Sequence, residues 1–308
     1  MRTIVITGGT GLVGSALSTL LNEKGYKVIV LTRNASGKNS TDQLQYREWD
    51  VRKQTIDATA IREADVIIHL AGAGVADKRW SKAYKKEILE SRTLSAALLV
   101  KSLKEIPNKV TTVVSASGIG WYGPDMPGKI PFTEDAPAEN GFLGQTCIAW
   151  ENSIAPVKEL GKRLVILRTG LALSNQGGAY KEFAKPVKMG VAAILGNGKQ
   201  VMSWIHIHDL CRLYLHAIEA AETNGVYNAV APKPATNKEI TLEIAKCVKP
   251  GFHIPLYVPS FMLKIVLGEM SIEVLKSTTV SAEKVRKTGF QFKYPSVEAA
   301  VAELTAHH

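Results

Sequence analysis

Over the first 170 residues, short apolar runs alternate with segments of helical periodicity. TIVIT at Thr3–Thr7 has the character of a buried strand, and Gly11–Glu23 puts Leu12, Ala16, Leu17, Leu20 and Leu21 on one side of a helix. Further strands are predicted at Lys27–Thr32, Leu44–Trp49, Asp65–Leu70, Lys109–Ala116 and Arg163–Arg168, with helices over Lys82–Lys104 and Phe142–Leu160. A Pro/Gly-rich loop, Gly123–Gly141, interrupts the rhythm. Past residue 170 the alternation loosens. Gly177–Gly198 is Gly-rich with a short helix, Met202–Ile207 reads as extended, Leu210–Glu222 as a helix and Gly225–Ala231 as a strand. Two or three helices and a closing FQFKYPS segment follow Pro232. This order predicts an α/β chain: a Rossmann-like, doubly wound sheet of about seven parallel strands with helices on both faces. It would comprise 1–170 and 202–231, with a smaller C-terminal substrate lobe from 171–201 and 232–308.

Composition narrows the class. A length of 308 residues, 45% hydrophobic and 21% charged, suits one large α/β domain or a nucleotide domain with a companion. No run of roughly 18 apolar residues exists, so no membrane span is expected. The first strand begins at Thr3, which leaves no room ahead of it for a signal peptide. Three scattered cysteines (Cys147, Cys211, Cys247) make neither a disulfide framework nor a zinc cage, and they suit a reducing, cytoplasmic setting. The net charge of +10 is spread along the chain with no block of five like charges and no nucleic-acid module. It reads as a solvated surface that helps attract a phosphorylated small molecule, with no nucleic-acid partner. His307 and His308 read as the stub of a purification tag and carry no weight. A monomer or homodimer is expected.

The strongest chemical signal is Gly8-Gly9-Thr10-Gly11-Leu12-Val13-Gly14, a G-x-x-G-x-x-G pattern between a strand and a helix. One glycine makes the tight turn, the next lets the backbone approach a pyrophosphate, and the third lets the helix pack closely on the strand. The helix N-terminus then offers unpaired N–H groups to the phosphates. At the end of the second strand, where an acidic residue would bind the ribose hydroxyl of NAD, the chain has Thr32-Arg33 with Lys38 close behind. An arginine there accepts the 2′-phosphate of NADP, so NADP(H) is the expected cofactor.

With these motifs the chain resembles the extended short-chain dehydrogenase/reductases. More narrowly, it is similar to an atypical subgroup often labelled nucleoside-diphosphate-sugar epimerase or cell-division inhibitor. The resemblance runs end to end through GGTGLVG (8–14), LTR (31–33), HLAGAG (69–74), RWSKAYKKEILESR (79–92), SASGIGWYG (115–123), FLGQTCIAWE (142–151), RTGLAL (168–173), WIHIHDL (204–210) and TGFQFKYPSVEAA (288–300). It implies that Gly8, Gly11, Leu12, Val13 and Gly14 line the pyrophosphate and that Thr32 and Arg33 hold the 2′-phosphate. It also implies that Leu70, Ala71 and Gly72 run along the adenosine and ribose, with Asp50 at the adenine. Glu87 and Arg92 would be polar cofactor contacts, although an exposed intrahelical ion pair explains them equally well.

The family's catalytic pair is a tyrosine and a lysine four residues on, with an upstream serine. Aligned on FLGQTCIAWE, those two positions hold Leu143 and Cys147. The serine survives as Ser117 (or Ser115), and Tyr122 is a displaced phenol or an aromatic wall of the pocket. Glu134 and Asp135 are further polar groups that the loop could bring. His206 and His208 alternate toward one face, but no third ligand is visible and no metal is expected; Asp209 fits an N-cap of the following helix. Three functions remain open: an NADPH-dependent oxidoreductase or epimerase-like enzyme without the usual dyad, a non-catalytic NADPH sensor, and a nucleoside-diphosphate-sugar epimerase.

Overall fold

Residues 1–126, 128 and 130–306 are described by a computed structural model; His307 and His308 lie outside the described residues. The strands in chain order are β1 (Thr3–Thr7), β2 (Lys27–Thr32), β3 (Leu44–Asp50), β4 (Thr55–Ile56), β5 (Val66–His69), β6 (Thr112–Gly118), β7 (Arg163–Thr169), β8 (Leu171–Ser174), β9 (Val191–Leu195), β10 (Val201–Met202), β11 (Trp204–His206), β12 (Gly225–Ala229), β13 (Ala235–Thr236) and β14 (Ile254–Val258). The helices are α1 (Leu12–Glu23), α2 (Ala58–Glu63), α3 (Lys82–Glu105), α4 (Phe142–Ile154), α5 (Gly178–Lys188), α6 (Ile207–Glu219), α7 (Asn237–Val248), α8 (Ser260–Leu267), α9 (Ser271–Leu275), α10 (Glu283–Lys287) and α11 (Val297–Ala306).

Eight strands form the central sheet in the order β12-β7-β6-β5-β1-β2-β3-β4. Seven run parallel, and the short β4 folds back antiparallel on β3. This is the Rossmann-like architecture expected from the strand–helix alternation. The order of connection reverses between β1 and β5, and a crevice opens beyond their carboxyl ends there. Both strands are buried along their whole length, which is why TIVIT and VIIH read as continuous apolar runs.

Each face of the sheet has its own core. On one side α1 and α6 pack through Leu17, Leu21, Leu210 and Leu213, and on the other α2 and α3 pack through Ile61, Ala96 and Leu99. A third core joins α5, α7 and α11 through Tyr180, Ile240, Ile244 and Leu304 and makes the smaller lobe. The boundary at 232 is crossed, because Val280, Val285 and Phe290 belong to the first core, against α6. Among the described residues no helix is long and apolar enough to cross a membrane.

Three local differences from the sequence reading bear on the site. The helix predicted to Leu160 ends at Ile154, and a 3₁₀ turn with Pro156 follows, since proline lacks the N–H that would continue it. The strand predicted to Ala116 continues to Gly118 because β7 pairs with it that far, Ser117 facing Arg168 and Gly118 facing Thr169. The extended segment at 202–207 does not rejoin the main sheet. β11 pairs with β8 in a two-stranded sheet of its own, and only β12 returns, against β7.

Candidate functional site

The turn between β1 and α1 is built to bring backbone close to a ligand. Gly8 has φ of +71°, and a Cβ on it would sit 2.9 Å from the Leu70 carbonyl carbon. A Cβ on Gly14 would strike the backbone of Gly8 and Gly9, so this glycine seats α1 on the strand. Gly11 caps α1 with no side-chain bond, and the first turn holds no acidic residue. Its orphan N–H groups therefore face outward as an anion cradle, which is what a dinucleotide pyrophosphate requires. Leu12 and Val13 open the helix; Val13 lines the main cavity, and Leu12 reaches across to Gly177 and Gly178.

Thr7 links β1 to β5 beneath this turn. Its hydroxyl accepts the N–H groups of Leu70 and Ala71, each at 3.2 Å, and so donates to Nδ1 of His69 at 2.8 Å. That bond leaves the proton of neutral His69 on Nε2, toward Ser95. Complete burial drives the His69 pKa down to about 3, so the ring is a neutral brace.

The predicted adenosine contacts fall along one edge. Thr32 ends β2 half-buried; Arg33 follows it exposed, with no carboxylate paired to it among the described residues. Asp50 ends β3, but Oδ1 accepts the Arg52 and Lys53 N–H groups at 2.9 and 3.0 Å, and the Lys53 bond chiefly holds its pKa down. The carboxylate therefore fastens its own turn. Leu70, Ala71 and Gly72 lead out of β5, and Leu70 lines the cavity.

Glu87 and Arg92 separate in the structure. Glu87 is exposed on α3, whereas Arg92 is buried at 8% exposure. The intrahelical ion pair is absent: Arg92 Nη1 donates to Ala73 O and Ile88 O at 3.0 and 2.8 Å, and its guanidinium lies 4.9 Å from the Trp150 ring centre. A Cβ on Gly72 would touch this guanidinium, so the glycine lets the cation approach the strand ends.

Beyond the carboxyl ends of β5, β6 and β7 lies a cavity of about 450 Å³, walled by both lobes. Ser117 and Cys147 are on its wall. Ser117 Oγ donates to Glu151 Oε1 at 2.7 Å, and Glu151 takes a two-point ion pair from Arg168, Nε to Oε1 at 2.9 Å and Nη2 to Oε2 at 3.0 Å. Arg168 Nη1 goes on to the Tyr122 hydroxyl and to Glu134 O, and Tyr122 donates to Asn228 Oδ1 at 2.6 Å. Ser115 lies two residues earlier on the same face of β6, deeper in the sheet, and its hydroxyl bonds the backbone at Ala116.

Tyr122 is therefore neither a displaced acid nor a wall of the cavity. It is 0% exposed and stacks on Phe132, and burial raises its phenol pKa, because the turn after β6 carries it under the sheet end into the Arg168 network. Leu143 and Cys147 occupy successive turns of α4 facing the cavity. Burial, with the Glu151 charge behind it, pushes the Cys147 thiol up to about 11. Glu134 accepts the Asn228 N–H and fastens the loop to β12, while Asp135 is exposed.

Five functional side chains escaped the sequence reading. Glu151 had a signal, since it follows Cys147 by four residues on the same helix face. Arg168 and Glu139 had none, because their partners are distant in the chain; Glu273 and Lys276 are an i,i+3 pair, but only the fold brings that pair to Glu139 and the cavity. Lys276 pairs with Glu139 at 3.2 Å and Glu273 at 2.8 Å. Burial raises the Glu273 pKa, with Lys276 opposing it. The His206 Nε2 atom meets Glu303 at 2.9 Å and its Nδ1 accepts the His208 N–H, so His206 caps α6 where Asp209 was expected to. Asp209 is instead fully buried and accepts the Lys293 and Tyr294 N–H groups, tying down the closing segment.

Comparison with known proteins accords with this geometry. Residues 4–229 match the model of the NAD dependent epimerase/dehydratase family, and residues 258–304 match DUF1731, a domain of unknown function. An epimerase family protein of Staphylococcus saprophyticus is 34% identical over 307 residues, covering 99% of each chain. The human epimerase family protein SDR39U1 is 30% identical over 307 residues, covering 98% of this chain and 99% of its own. A crystal structure of human SDR39U1 with NADPH superposes with a TM-score of 0.86 at 28% identity over the full length of both chains. A nucleoside-diphosphate sugar epimerase structure from Corynebacterium glutamicum gives 0.77 at 32% identity, over 99% of this chain and 58% of that one. The glycine cradle, the switch-point crevice and the end-to-end likeness together place the chain in the NAD dependent epimerase/dehydratase family, in the branch that carries a DUF1731 domain.

Proposed function

We propose that this protein is an NADPH-dependent oxidoreductase of the epimerase-like type, acting on a small molecule through Ser117 without the usual tyrosine–lysine pair. The observation that carries this reading is Ser117: it stands at the carboxyl end of β6 on the cavity wall, its hydroxyl oriented by Glu151. The cofactor assignment is supported by the Gly8–Gly14 cradle, by exposed Arg33 at the end of β2, and by the NADPH found with human SDR39U1. Gly8, Gly11, Leu12, Val13 and Gly14 would hold the pyrophosphate, Thr32 and Arg33 the 2′-phosphate, and Leu70, Ala71, Gly72 and Arg92 the passage to the cavity. The free thiols at Cys147, Cys211 and Cys247 suit a reducing cytoplasm.

NADPH, when bound, supplies a hydride to an acceptor carbon. Ser117 handles the oxygen. Its proton lies toward Glu151, so its lone pairs face the cavity and accept a substrate O–H in the alcohol direction. In the carbonyl-reducing direction the same hydroxyl would turn from Glu151 to hydrogen-bond the carbonyl oxygen, and water entering the cavity would supply the proton that the resulting alkoxide takes up. Arg168 holds Glu151 at two points and thereby sets the resting orientation of Ser117. Leu143 and Cys147 keep that wall apolar.

The test combines calorimetry and turnover. NADPH should bind more tightly than NADH by about 1–3 kcal/mol, the worth of a charge-assisted contact, and Arg33→Ala should erase the difference. A panel of aldehydes, ketones and quinones should find NADPH oxidation that Ser117→Ala reduces while cofactor affinity holds. Equal loss of affinity and turnover would make Ser117 a cofactor ligand. A second reading, a cofactor sensor, is favoured by a cavity walled from both lobes. It prevails if no substrate is turned over yet NADPH alters hydrogen exchange at 273–278.

A further inference from the structure

We infer that the substrate end of this cavity takes a compact, uncharged and mainly apolar carbonyl compound, and that residues 273–278 of the C-terminal lobe close it to nucleoside diphosphates. This rests on the cavity being where substrate meets cofactor. A diphosphate taken out of water requires cations or N–H donors for its oxygens, or its desolvation goes uncompensated. Among the described residues, the cavity is lined by two cations, Arg92 and Lys276, and one carboxylate, Glu273.

Lys276 has no donor to spare. An ammonium carries three N–H groups, and Nζ has three acceptors already: Glu273 Oε2 at 2.8 Å, Glu139 Oε2 at 3.2 Å and Tyr122 O at 3.2 Å. Its side chain is only 10% exposed. Two carboxyl groups around one ammonium leave the cluster no net positive charge to offer a phosphate. Arg92 belongs to the opposite wall, against Gly72 and the face of Trp150, where the chain leaves β5 toward the cofactor cradle.

The remaining surface agrees. Ile119, Leu143, Val201, Met202 and Val274 are apolar. The Thr146 hydroxyl donates to Phe142 O and that of Ser203 to Thr278 O, so the neutral donors at this wall include Ser117, once it turns from Glu151, and the Trp150 indole N–H, which has no partner among the described residues. The volume of about 450 Å³ must also admit the nicotinamide. Ligand pockets span roughly 300–1,000 Å³, so what is left is small.

The full-length chain saturated with NADP⁺, which prevents reduction during the measurement, is titrated by calorimetry with UDP, UDP-glucose, benzaldehyde, cyclohexanone, 2-octanone and menadione. At least one carbonyl compound should bind, with UDP-glucose and UDP weaker by about a hundredfold, as an uncompensated diphosphate demands. Binding of UDP-glucose as tight as the best carbonyl overturns the inference, and so does failure of every carbonyl to bind. In the Glu139→Gln, Glu273→Gln double variant the ammonium loses its counter-charges, and UDP should bind about tenfold more tightly than to the parent chain. No gain, in a variant whose NADP⁺ affinity shows it is folded, removes the cluster from its gating role. A chain that binds the carbonyls yet never oxidises NADPH keeps this inference and loses the oxidoreductase reading.

Discussion

At the scale of single residues, Cys147 shows how position and environment separate. It lines the cavity on the face of α4, so it could pass for a nucleophile. The thiol is 6% exposed, hydrogen-bonds Gly118 O at 3.5 Å, and lies near the Glu151 carboxylate. Both burial and that charge disfavour the thiolate, raising the pKa to about 11. At pH 7 only about one thiol in ten thousand is ionised, so alkylation should be slow and climb roughly tenfold per pH unit up to pH 10. Iodoacetamide labelling followed by peptide mapping at Cys147 measures this. Rapid labelling that levels off below pH 8 would reveal an activated thiol. Cys147→Ser should leave cofactor affinity unchanged. Arg92 makes the complementary point: a charge that sequence spacing pairs with Glu87 is buried among carbonyl oxygens and an aromatic ring, because Gly72 leaves room for it.

At the scale of elements, the β1–α1 turn carries the cofactor reading. Gly14 is the tightest point: any Cβ there meets the Gly8 and Gly9 backbone, which cannot rotate aside as a side chain would. Gly14→Ala should push α1 off the strand, costing about 1–3 kcal/mol in urea unfolding and lowering NADPH affinity at least about tenfold. Parental stability and affinity in that variant would mean that the cradle is looser than this packing requires. α4 is the second element with a double role. Leu143, Cys147 and Glu151 recur every four residues on one face, so the helix presents an apolar wall and one carboxylate. Pro156 ends it two residues after Ile154, and Val157 then returns to the core beneath β7.

At the scale of the whole molecule, the two lobes are held by contacts that cross long stretches of chain. Asp209, 0% exposed in the first turn of α6, takes the Lys293 and Tyr294 N–H groups at 2.9 and 2.8 Å and pairs with Arg212 at 2.8 Å. Asp209→Ala strands two backbone donors, while Arg212, a third exposed, turns to water, so it should cost about 3 kcal/mol and expose the segment after Lys293 to trypsin. Urea melts and timed proteolysis read both, and a loss below about 1 kcal/mol would show that α11 is anchored by its own core alone.

The local features were legible in the chain itself. The seven parallel strands, the glycine turn, the arginine at the end of β2 and the serine at the end of β6 each depend on neighbours within a few residues, through periodicity, steric freedom and strand-end placement. Tertiary structure alone decided the rest. Ser117 meets Glu151 across 34 residues, Glu151 meets Arg168 across 17, and Lys276 reaches Glu139 across 137. Tyr122 looked available until the fold buried it, and Asp209 looked like a cap until the closing segment came back to it. Charge pairing and burial are properties of the space between elements, set by which faces pack, so no spacing rule along the chain encodes them.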